Sequence, residues 1–484
     1  MPGTTRIAVR TILPLLLVLV SLSVGMSSAR RVQGRLLARA LEARHDRWHG
    51  SSVGPARRGT TEQNSVTNVL DHGARAGDGS FDNAVPFQAA LNAALAAGGG
   101  IVWVPAGQFT FHSSITVPVG VSLEGTYRAP PAHNVGEGGL PPTHGSVLLV
   151  VGGRGEASGT PFATLKQDAT LRGVVLYYPD QDPKAAPTPY PFTLSLSVNS
   201  AVIDVEGVNP YQFISAVGAA RHYIARVYGQ PSLIGIYVDD VTDIGRMIDI
   251  HFNPWYSQHP EYMRLQLTRG RAFVLGRSDW QFCTRLFAFA YSVGFHFIET
   301  AAGATNGILE ESGADMAYNA SVLIEQVDVW GLQIAACEFT SFASPQWANV
   351  SVTSIELVVA PTNSGTVTVS NTAFWGPSYS IASVAGSGMV SFSGCTFTQW
   401  DVHHKGLPAV TIAGATAVSI TDSLFLQNNC ISGTCFSQID RTRESSGAIM
   451  VANNIFTGAI HNLVALCSKR SSDSCLVINN VVRL

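Results

Sequence analysis

The chain has little charge and few cysteines for its length. Asp, Glu, Lys and Arg together make up 13% of its 484 residues, about half the share found in a typical soluble protein. The formal net charge is −3, so the sequence predicts no nucleic-acid partner and no membrane-surface partner for the mature chain. Hydrophobic residues reach 46%, which indicates a large core covered by neutral polar side chains.

The seven cysteines are too few to organise a fold of this size through disulfides. Two pairs bracket short loops and are disulfide candidates in an oxidising compartment: Cys430 with Cys435, and Cys467 with Cys475. The other three lie in apolar, strand-like segments and are predicted to be buried thiols: Cys283, Cys337 and Cys395. The chain has no Cys-x-x-Cys and no paired-histidine spacing, so no metal site is predicted from these residues.

The first 29 residues have the pattern of a targeting segment. Arg6 and Arg10 precede the apolar run ILPLLLVLVSLSVGM, and small residues follow at 27–29. The run is shorter than the roughly 20 residues that span a bilayer, so we predict a cleaved signal peptide at 1–29 and a secreted, extracellular protein. An uncleaved signal-anchor stays open, because two arginines follow the run closely.

Two further features accompany this prediction. Residues 30–64 are rich in arginine and lack hydrophobic periodicity, so we interpret them as a basic, flexible leader. Asn319 and Asn349 begin Asn-x-Ser sequons, which makes them glycosylation candidates in a secreted protein.

A single helix is predicted near the start of the ordered chain. Apolar residues from Phe87 to Leu95 recur with helical spacing, and Asp82 or Asn83 can cap the helix. Gly98–Gly100 ends it. No convincing amphipathic helix follows in the sequence.

The later chain repeats a short strand phrase that ends in phenylalanine. The copies are LQIAACEF (332–339), VTVSNTAF (367–374), VSFSGCTF (390–397), VSITDSLF (418–425) and IMVANNIF (449–456). Their spacing fits coils of three short strands and three turns. We therefore predict an all-β protein, a parallel β-helix solenoid over residues 65–484 with a short N-terminal capping helix, in which the phenylalanines stack from coil to coil.

The segment DHGARAGDGSFDNAVPFQAALNAALAAGGGIVWVPAGQFTF (71–111) resembles the opening of secreted pectate lyase superfamily proteins, also described as rhamnogalacturonase/epimerase-like or polygalacturonase-related. The resemblance implies a right-handed β-helix with a groove for polysaccharide. Of the polygalacturonase signatures, only an Asp-Asp is present, at Asp239-Asp240. Because Asn-Thr-Asp, Gly-His-Gly and Arg-Ile-Lys are absent, as is the Trp-Ile-Asp-His of calcium pectate lyases, the resemblance transfers no catalytic mechanism.

The stretch GIYVDDVTDIGRMIDIHF (235–252) gathers the strongest catalytic candidates, which are Asp239, Asp240, Asp243, Asp249, Arg246 and His251. The strand period of two puts Asp249 and His251 on the outer face, about 7 Å apart. Stacked coils would bring the carboxylates into one groove, where a pair of them can perform glycoside hydrolysis. The alternative is a ladder of turn residues, because Asp is a preferred turn residue.

Other residues are candidates for substrate binding. Aromatic side chains can stack on sugar rings, and acidic side chains can border the groove: Trp255, Tyr256, Trp280, Glu310 and Glu311. Each of these also has a structural interpretation as a buried aromatic residue or a solvated loop residue.

These features together predict a secreted protein that cleaves glycosidic bonds in a uronate- or rhamnose-containing polysaccharide of a cell wall or matrix. Hydrolysis is favoured over elimination and needs no cofactor. One alternative is a Ca²⁺-assisted polysaccharide lyase or epimerase. The other is a non-catalytic extracellular glycan-binding or adhesion protein on the same scaffold. The oligomeric state is left open.

Overall fold

The computed structural model describes residues 66–128, 139–341, 354–427, 438–442, 445–457, 464–465 and 474–483. The part of the chain from Asn64 to Leu484 forms one compact unit. The predicted signal peptide and leader lie outside the described residues. No helix in the described ranges is long and apolar enough to cross a membrane.

The described strands form two parallel sheets, which we call sheet A and sheet B. Sheet A contains 25 strands: β1 Val66–Asn68, β2 Gly100–Trp103, β3 Gly107–Phe111, β5 Val121–Glu124, β6 Ser146–Val150, β8 Thr170–Arg172, β9 Val175–Tyr177, β11 Ala201–Gly207, β13 Tyr223–Gly229, β15 Arg246–Phe252, β17 Gln281–Phe289, β19 Gly307–Glu310, β20 Gly313–Asp315, β22 Leu332–Ala335, β23 Glu338–Thr340, β25 Thr366–Ser370, β26 Ala373–Trp375, β28 Met389–Ser393, β29 Thr396–Thr398, β31 Ala417–Thr421, β32 Leu424–Leu426, β34 Ile449–Ala452, β35 Ile455–Thr457, β37 Cys475–Ile478 and β38 Val481–Arg483.

Sheet B contains 13 strands: β4 Ile115–Val117, β7 Ala163–Leu165, β10 Phe192–Ser195, β12 Gln212–Val217, β14 Ile234–Asp239, β16 Arg271–Leu275, β18 Val293–Phe297, β21 Ala320–Ile324, β24 Ile355–Val359, β27 Ser380–Val384, β30 Val410–Ile412, β33 Ile439–Arg441 and β36 Val464–Ala465. From β10 onward, each full coil crosses sheet B once and then runs through sheet A, either as one long bent strand or as two short strands. The prediction of a right-handed parallel β-helix is confirmed.

The phenylalanines of the repeated phrase stack along the interior as the sequence predicts. Phe339, Phe374, Phe397, Phe425 and Phe456 are aligned in register on successive strands. All five are buried, with at most 1% of each side chain exposed. The Phe397 and Phe425 ring centroids lie 4.4 Å apart and the rings are stacked. Parallel register therefore converts a repeat in the sequence into a continuous aromatic column in the core.

The capping helix spans Ala84–Ala96 and covers the first coils. Phe87 is fully buried, and its ring lies 5.4 Å from Phe109 and 4.9 Å from Phe111, centroid to centroid. Asp82 caps the helix, because its Oδ1 accepts a hydrogen bond from Ala84 N at 3.0 Å. Leu95, at the end of the predicted apolar stripe, is 46% exposed.

A second helix, Pro260–Arg269, corrects the prediction that no helix follows the first. Its end signals are present in the sequence: Pro260 in the first turn, Glu261 near the N-terminus and Arg269 in the last turn. The helix is too short and too polar for the apolar periodicity that reveals longer helices. It buries Tyr262, Met263, Gln266 and Leu267 against the outside of the coils.

The cysteines behave as predicted where the structure describes them. Cys283, Cys337 and Cys395 are buried free thiols, and burial raises the pKa of Cys337 to about 11. Cys475 is disulfide-bonded. The other disulfide candidates, Cys430, Cys435 and Cys467, lie outside the described residues.

Candidate functional site

One residue in each coil of sheet A adopts the left-handed backbone conformation, and these residues are aligned from coil to coil. Each lies where the coil bends between its two strand segments, with φ between +48° and +67°. The members described are Gly173, Asp204, Arg226, Asp249, Arg285, Glu311, Ala336, Asn371, Gly394, Asp422, Asn453 and Asn479. Gly, Asn and Asp tolerate this conformation better than other residues, which explains their frequency in the column.

Five consecutive members of this column alternate in charge and form what we call the charge ladder: Asp204, Arg226, Asp249, Arg285 and Glu311. Arg226 Nε donates to Asp204 Oδ1 at 2.6 Å. Arg285 donates to both carboxylate oxygens of Asp249 and also reaches Glu311 Oε2 at 3.3 Å. Burial of Asp204 opposes ionisation, but Arg226 and Arg172 outweigh it and hold its pKa below the usual range.

A second ladder lies at the turn that leads from sheet B into sheet A. Asp168, Asn199 and Arg221 each have a φ of 58°. Asn199 Nδ2 donates to Asp168 Oδ1, and Arg221 Nε donates to Asn199 Oδ1, both at 2.6 Å. Arg221 also donates to Asp243 Oδ2 at 2.6 Å. Asp243 therefore ends a row of turn residues that bind one another across coils.

The four aspartates of the stretch 235–252 are held by different partners and are not brought together. Asp239 lies at the end of β14 and accepts hydrogen bonds from Thr300 Oγ1 and Arg277 N, both at 2.8 Å. Asp240 is the next residue and is exposed. The expectation of a shared carboxylate groove for these residues is wrong, because the chain turns from one sheet to the other between Asp240 and Asp249.

The bend at Asp249 also shifts the phase of β15. We predicted Ile248 to point inward, but it is only half-buried, and Met247 is buried in its place. The left-handed residue at Asp249 interrupts the alternation of two that the prediction assumed. Arg246 is half-buried at the start of this strand, in register with Tyr223 and Phe282.

Asp249 and His251 do share a cavity, as predicted for that pair. The cavity measures about 340 Å³ and is also lined by Arg226, Tyr228, Arg285 and Phe287. A second cavity of about 520 Å³ adjoins it, because Arg285 and Phe287 line both. We call the two together the groove. It follows the outer face of sheet A beyond the charge ladder, and the second cavity is also lined by Glu311, Asp315, Glu338, Thr340 and Trp375.

Two acidic residues face the second cavity from neighbouring strands. Asp315 Oδ1 is buried and has no hydrogen-bond partner among the described residues. Burial, together with the charge of Glu338, raises the pKa of Asp315 to about 6. Glu338 is exposed, and its Oε1 accepts a hydrogen bond from Trp375 Nε1 at 2.8 Å. One carboxyl group thus holds its proton more tightly than usual beside a second group that is open to solvent.

The separation of the two residues follows from the register. Gly313 pairs with Glu338, so Asp315 lies one strand away from Glu338 and two residues further along. This places their Cα atoms about 8 Å apart, from a strand spacing of about 4.8 Å and a rise of about 3.3 Å per residue. A separation of this size leaves room for a water molecule between the two groups.

The predicted substrate-binding residues have different surroundings. Trp255 stands beside the groove, with its ring centroid 4.8 Å from that of His251. Tyr256 is only 1% exposed and donates its hydroxyl hydrogen to Gln181 O at 2.6 Å, so its ring cannot stack on a sugar, and that prediction is wrong. Trp280 is 64% exposed at the turn before β17 and does not line the groove.

The acidic and glycosylation candidates are placed as follows. Glu311 lines the groove, whereas Glu310 is half-buried and accepts a hydrogen bond from Thr284 Oγ1 at 3.0 Å. Asn319 is exposed, and its Nδ2 donates to Ser292 Oγ at 2.7 Å. Asn349 lies outside the described residues. Glycosylation therefore stays a prediction.

Sequence reasoning passed over three residues of the groove: Arg285, Glu338 and Trp375. A signal for the last two was present in the repeat, because Glu338 precedes the stacked Phe339 and Trp375 follows the stacked Phe374. With Phe pointing inward, the period of two puts both neighbours outside. In the described ranges, no group of three or more His, Cys, Asp or Glu residues is arranged to hold a metal ion.

Solved structures with the same fold are distant in sequence. The tailspike protein of E. coli bacteriophage HK620 superposes with a TM-score of 0.53 at 12% identity, over 88% of this chain and 83% of the tailspike. The N-terminal fragment of bacteriophage Phi29 gene product 12 gives 0.54 at 13% identity, over 86% and 72%. The A-module of mannuronan C-5 epimerase AlgE4 from Azotobacter vinelandii gives 0.40 at 16% identity, over 86% and 97%.

Residues 66–139 match the family model described as rhamnogalacturonase A/epimerase, pectate lyase-like. These residues contain the capping helix and the first strands of the β-helix. The chain is a pectate lyase-like superfamily protein. The resemblance noted at residues 71–111 is therefore confirmed. No curated protein sequence matches this pectate lyase-like chain.

Proposed function

We propose that the protein hydrolyses a polysaccharide that lies along the groove of sheet A, with Asp315 as the general acid and Glu338 as the general base. The raised pKa of Asp315 is the observation that carries this proposal. A carboxyl group that keeps its proton near pH 6 can donate it to a glycosidic oxygen. Glu338, which is exposed, would stay ionised and activate a water molecule.

The geometry favours inversion of the anomeric carbon. In inverting glycosidases the two carboxyl groups stand about 6.5 to 9.5 Å apart, so that water fits between the base and the sugar. The register of β20 and β23 puts Asp315 and Glu338 in this range. Trp375 fixes Glu338 through its hydrogen bond and offers an indole face beside the reacting group.

The rest of the groove supports an extended ligand. Apolar ring faces and hydrogen-bonding side chains alternate along it, a combination that suits the C–H faces and hydroxyl groups of sugars. Phe287, Tyr228 and Trp255 supply the rings, and Arg285 and His251 supply polar groups. Among proteins of this fold, the HK620 tailspike is described in complex with a pentasaccharide.

We further propose that the substrate is a uronate- or rhamnose-containing polysaccharide of a cell wall or extracellular matrix and that the protein is secreted. The family model, whose description names a rhamnogalacturonase, supports this substrate class. The apolar N-terminal run supports secretion.

The test is the release of reducing ends from a panel that includes rhamnogalacturonan, polygalacturonate and alginate. Hydrolysis releases reducing ends without the ultraviolet absorbance of an unsaturated uronate, which a lyase would produce. Asp315→Asn and Glu338→Gln are expected to lose at least 100-fold in activity, as removal of a general acid or base does. Asp422→Asn, an exposed acidic residue of sheet A outside the groove, is the matched control and should keep full activity.

Two outcomes would contradict the proposal. Ultraviolet absorbance with each new reducing end would identify elimination, which requires a base near the uronate C5 and not this acid–base pair. Tight glycan binding without any cleavage of the panel would favour a non-catalytic binding protein on the same fold.

A further inference from the structure

A third cavity lies on the outer face of sheet B and has a different character from the groove. It measures about 530 Å³ and is bordered by the end of the helix Pro260–Arg269 and by strands β16, β18, β21 and β24. Its polar lining includes Arg269, Arg271, His296 and Glu325. None of the groove residues lines it, so it is a separate site.

The two arginines of this cavity have no partner for their charge. Arg269 and Arg271 are exposed, and within the described ranges their guanidinium groups make no ion pair or side-chain hydrogen bond. By contrast, Arg226 and Arg285 of the charge ladder are each bound to a carboxylate. A pair of unneutralised guanidinium groups at the edge of a concave surface favours an anionic ligand.

The single acidic group of the cavity does not cancel this charge. Glu325 Oε1 lies 2.8 Å from His296 Nε2, so one of its oxygens is already engaged. His296 is 2% exposed, and burial lowers its pKa, with a further contribution from the charge of Arg271. The neutral ring donates from Nε2 to Glu325, which leaves Nδ1 as an acceptor.

His296 Nδ1 is itself an unused hydrogen-bonding group. It is buried and has no partner among the described residues. Leaving a buried polar atom unpaired costs free energy, so a ligand hydroxyl that reaches it would bind more tightly. Two cationic side chains and one neutral acceptor therefore border the same cavity, a donor and acceptor set that matches a sugar bearing both an anionic group and hydroxyl groups.

We propose that this cavity binds an acidic sugar unit, with Arg269 and Arg271 pairing with its carboxylate and His296 accepting a hydrogen bond from a hydroxyl group. The inference rests on the proposed function for the saccharide class of the ligand, but not for the hydrolytic chemistry. Because the cavity lies on sheet B and the groove on sheet A, it serves as an accessory binding site that selects acidic chains.

The test compares binding of an oligogalacturonate with binding of a neutral galactose oligomer of the same length, by titration calorimetry on the full chain. The double variant Arg269→Gln/Arg271→Gln should bind the oligogalacturonate at least tenfold more weakly. Arg264→Gln is the matched control: it lies on the same helix, is exposed and pairs with Glu261, and it should bind as the wild type does. A thermal melt of each variant confirms folding.

Further arms separate this inference from its neighbours. Glu338→Gln should keep the binding that depends on Arg269 and Arg271, because the groove is a different site. If inorganic sulfate at the same concentration competes as well as the oligomer, the cavity holds any anion and the acidic-sugar assignment is overturned. Unchanged binding by the double variant also overturns it. Loss of cleavage in Asp315→Asn would still support the proposed hydrolysis, so the two failures are distinguishable.

Discussion

Substitutions at Asp249 decide whether this residue is a turn residue or a catalytic group. Asp249 has a φ of +55°, which Asn tolerates nearly as well as Asp and which a β-branched residue resists. Asp249→Asn therefore loses only the ion pair with Arg285. Asp249→Val loses the ion pair and also strains the backbone.

The magnitudes follow from exposure and conformation. The Asp249 and Arg285 side chains are 35% and 49% exposed, so water screens the pair and its contribution is about 0.5–1 kcal/mol. The left-handed conformation adds about 1–2 kcal/mol for a residue with a bulky side chain. Asp249→Asn should thus lower the free energy of unfolding by about 1 kcal/mol or less, and Asp249→Val by about 2–3 kcal/mol.

The assay is guanidinium chloride unfolding, with a double-mutant cycle that includes Arg285→Gln. The cycle should return a coupling energy of the size given for the ion pair. Asp422→Asn, in the same left-handed column but without an ion pair among the described residues, should change the free energy of unfolding by less. The interpretation as a turn residue fails if Asp249→Asn keeps its stability and abolishes polysaccharide cleavage.

Three further predictions concern the groove and the core. If Asp315 is the general acid, cleavage should fall as the pH rises through about 6, measured as a kcat/KM profile; a profile flat to pH 8 would exclude that role. Glu356 is fully buried, and burial raises its pKa despite the nearby Ser378 hydroxyl, so its contribution to stability is present at low pH and is lost as the pH rises through the folded-state pKa. Glu356→Gln should therefore flatten the dependence of Tm on pH at its alkaline end, and an unaltered dependence would contradict this. Phe425→Ala should lower the free energy of unfolding by about 3–5 kcal/mol, measured by chemical denaturation, because its ring stacks between Phe397 and Phe456; a loss below 1 kcal/mol would mean that the aromatic column relaxes around the cavity.

The repeat in the sequence determined the fold prediction because its signal is local and is copied in each coil. Phe339 and Phe374 end similar phrases, and parallel register stacks them. The period of two also placed Asp249 and His251 on one outer surface, and they share a cavity. What a short phrase repeats, the solenoid aligns.

The carboxylate cluster failed as a prediction because closeness in sequence does not survive a change of sheet. Asp240 ends a segment of sheet B, whereas Asp249 lies in sheet A. Groups that do meet, such as Asp315 and Glu338, are 23 positions apart and become neighbours only through the register of β20 and β23. Finding them from the sequence requires the length of each coil, which varies along the chain.

Burial defeated two other assignments for a similar reason. Tyr256 looks like a sugar platform in sequence, but the helix Pro260–Arg269 that follows it brings Tyr262 against its ring. Periodicity did not reveal that helix, so nothing in the sequence indicated what would cover Tyr256. The unpaired arginines at its end, Arg269 and Arg271, were missed with it.

The most direct test of the groove is a crystal structure of the Glu338→Gln variant soaked with an oligosaccharide that the wild type cleaves. Our account predicts a sugar chain along sheet A, with the glycosidic oxygen within hydrogen-bonding distance of the Asp315 carboxyl group and a sugar ring against Trp375. A chain bound elsewhere, with Asp315 and residue 338 both free of contact, would contradict it.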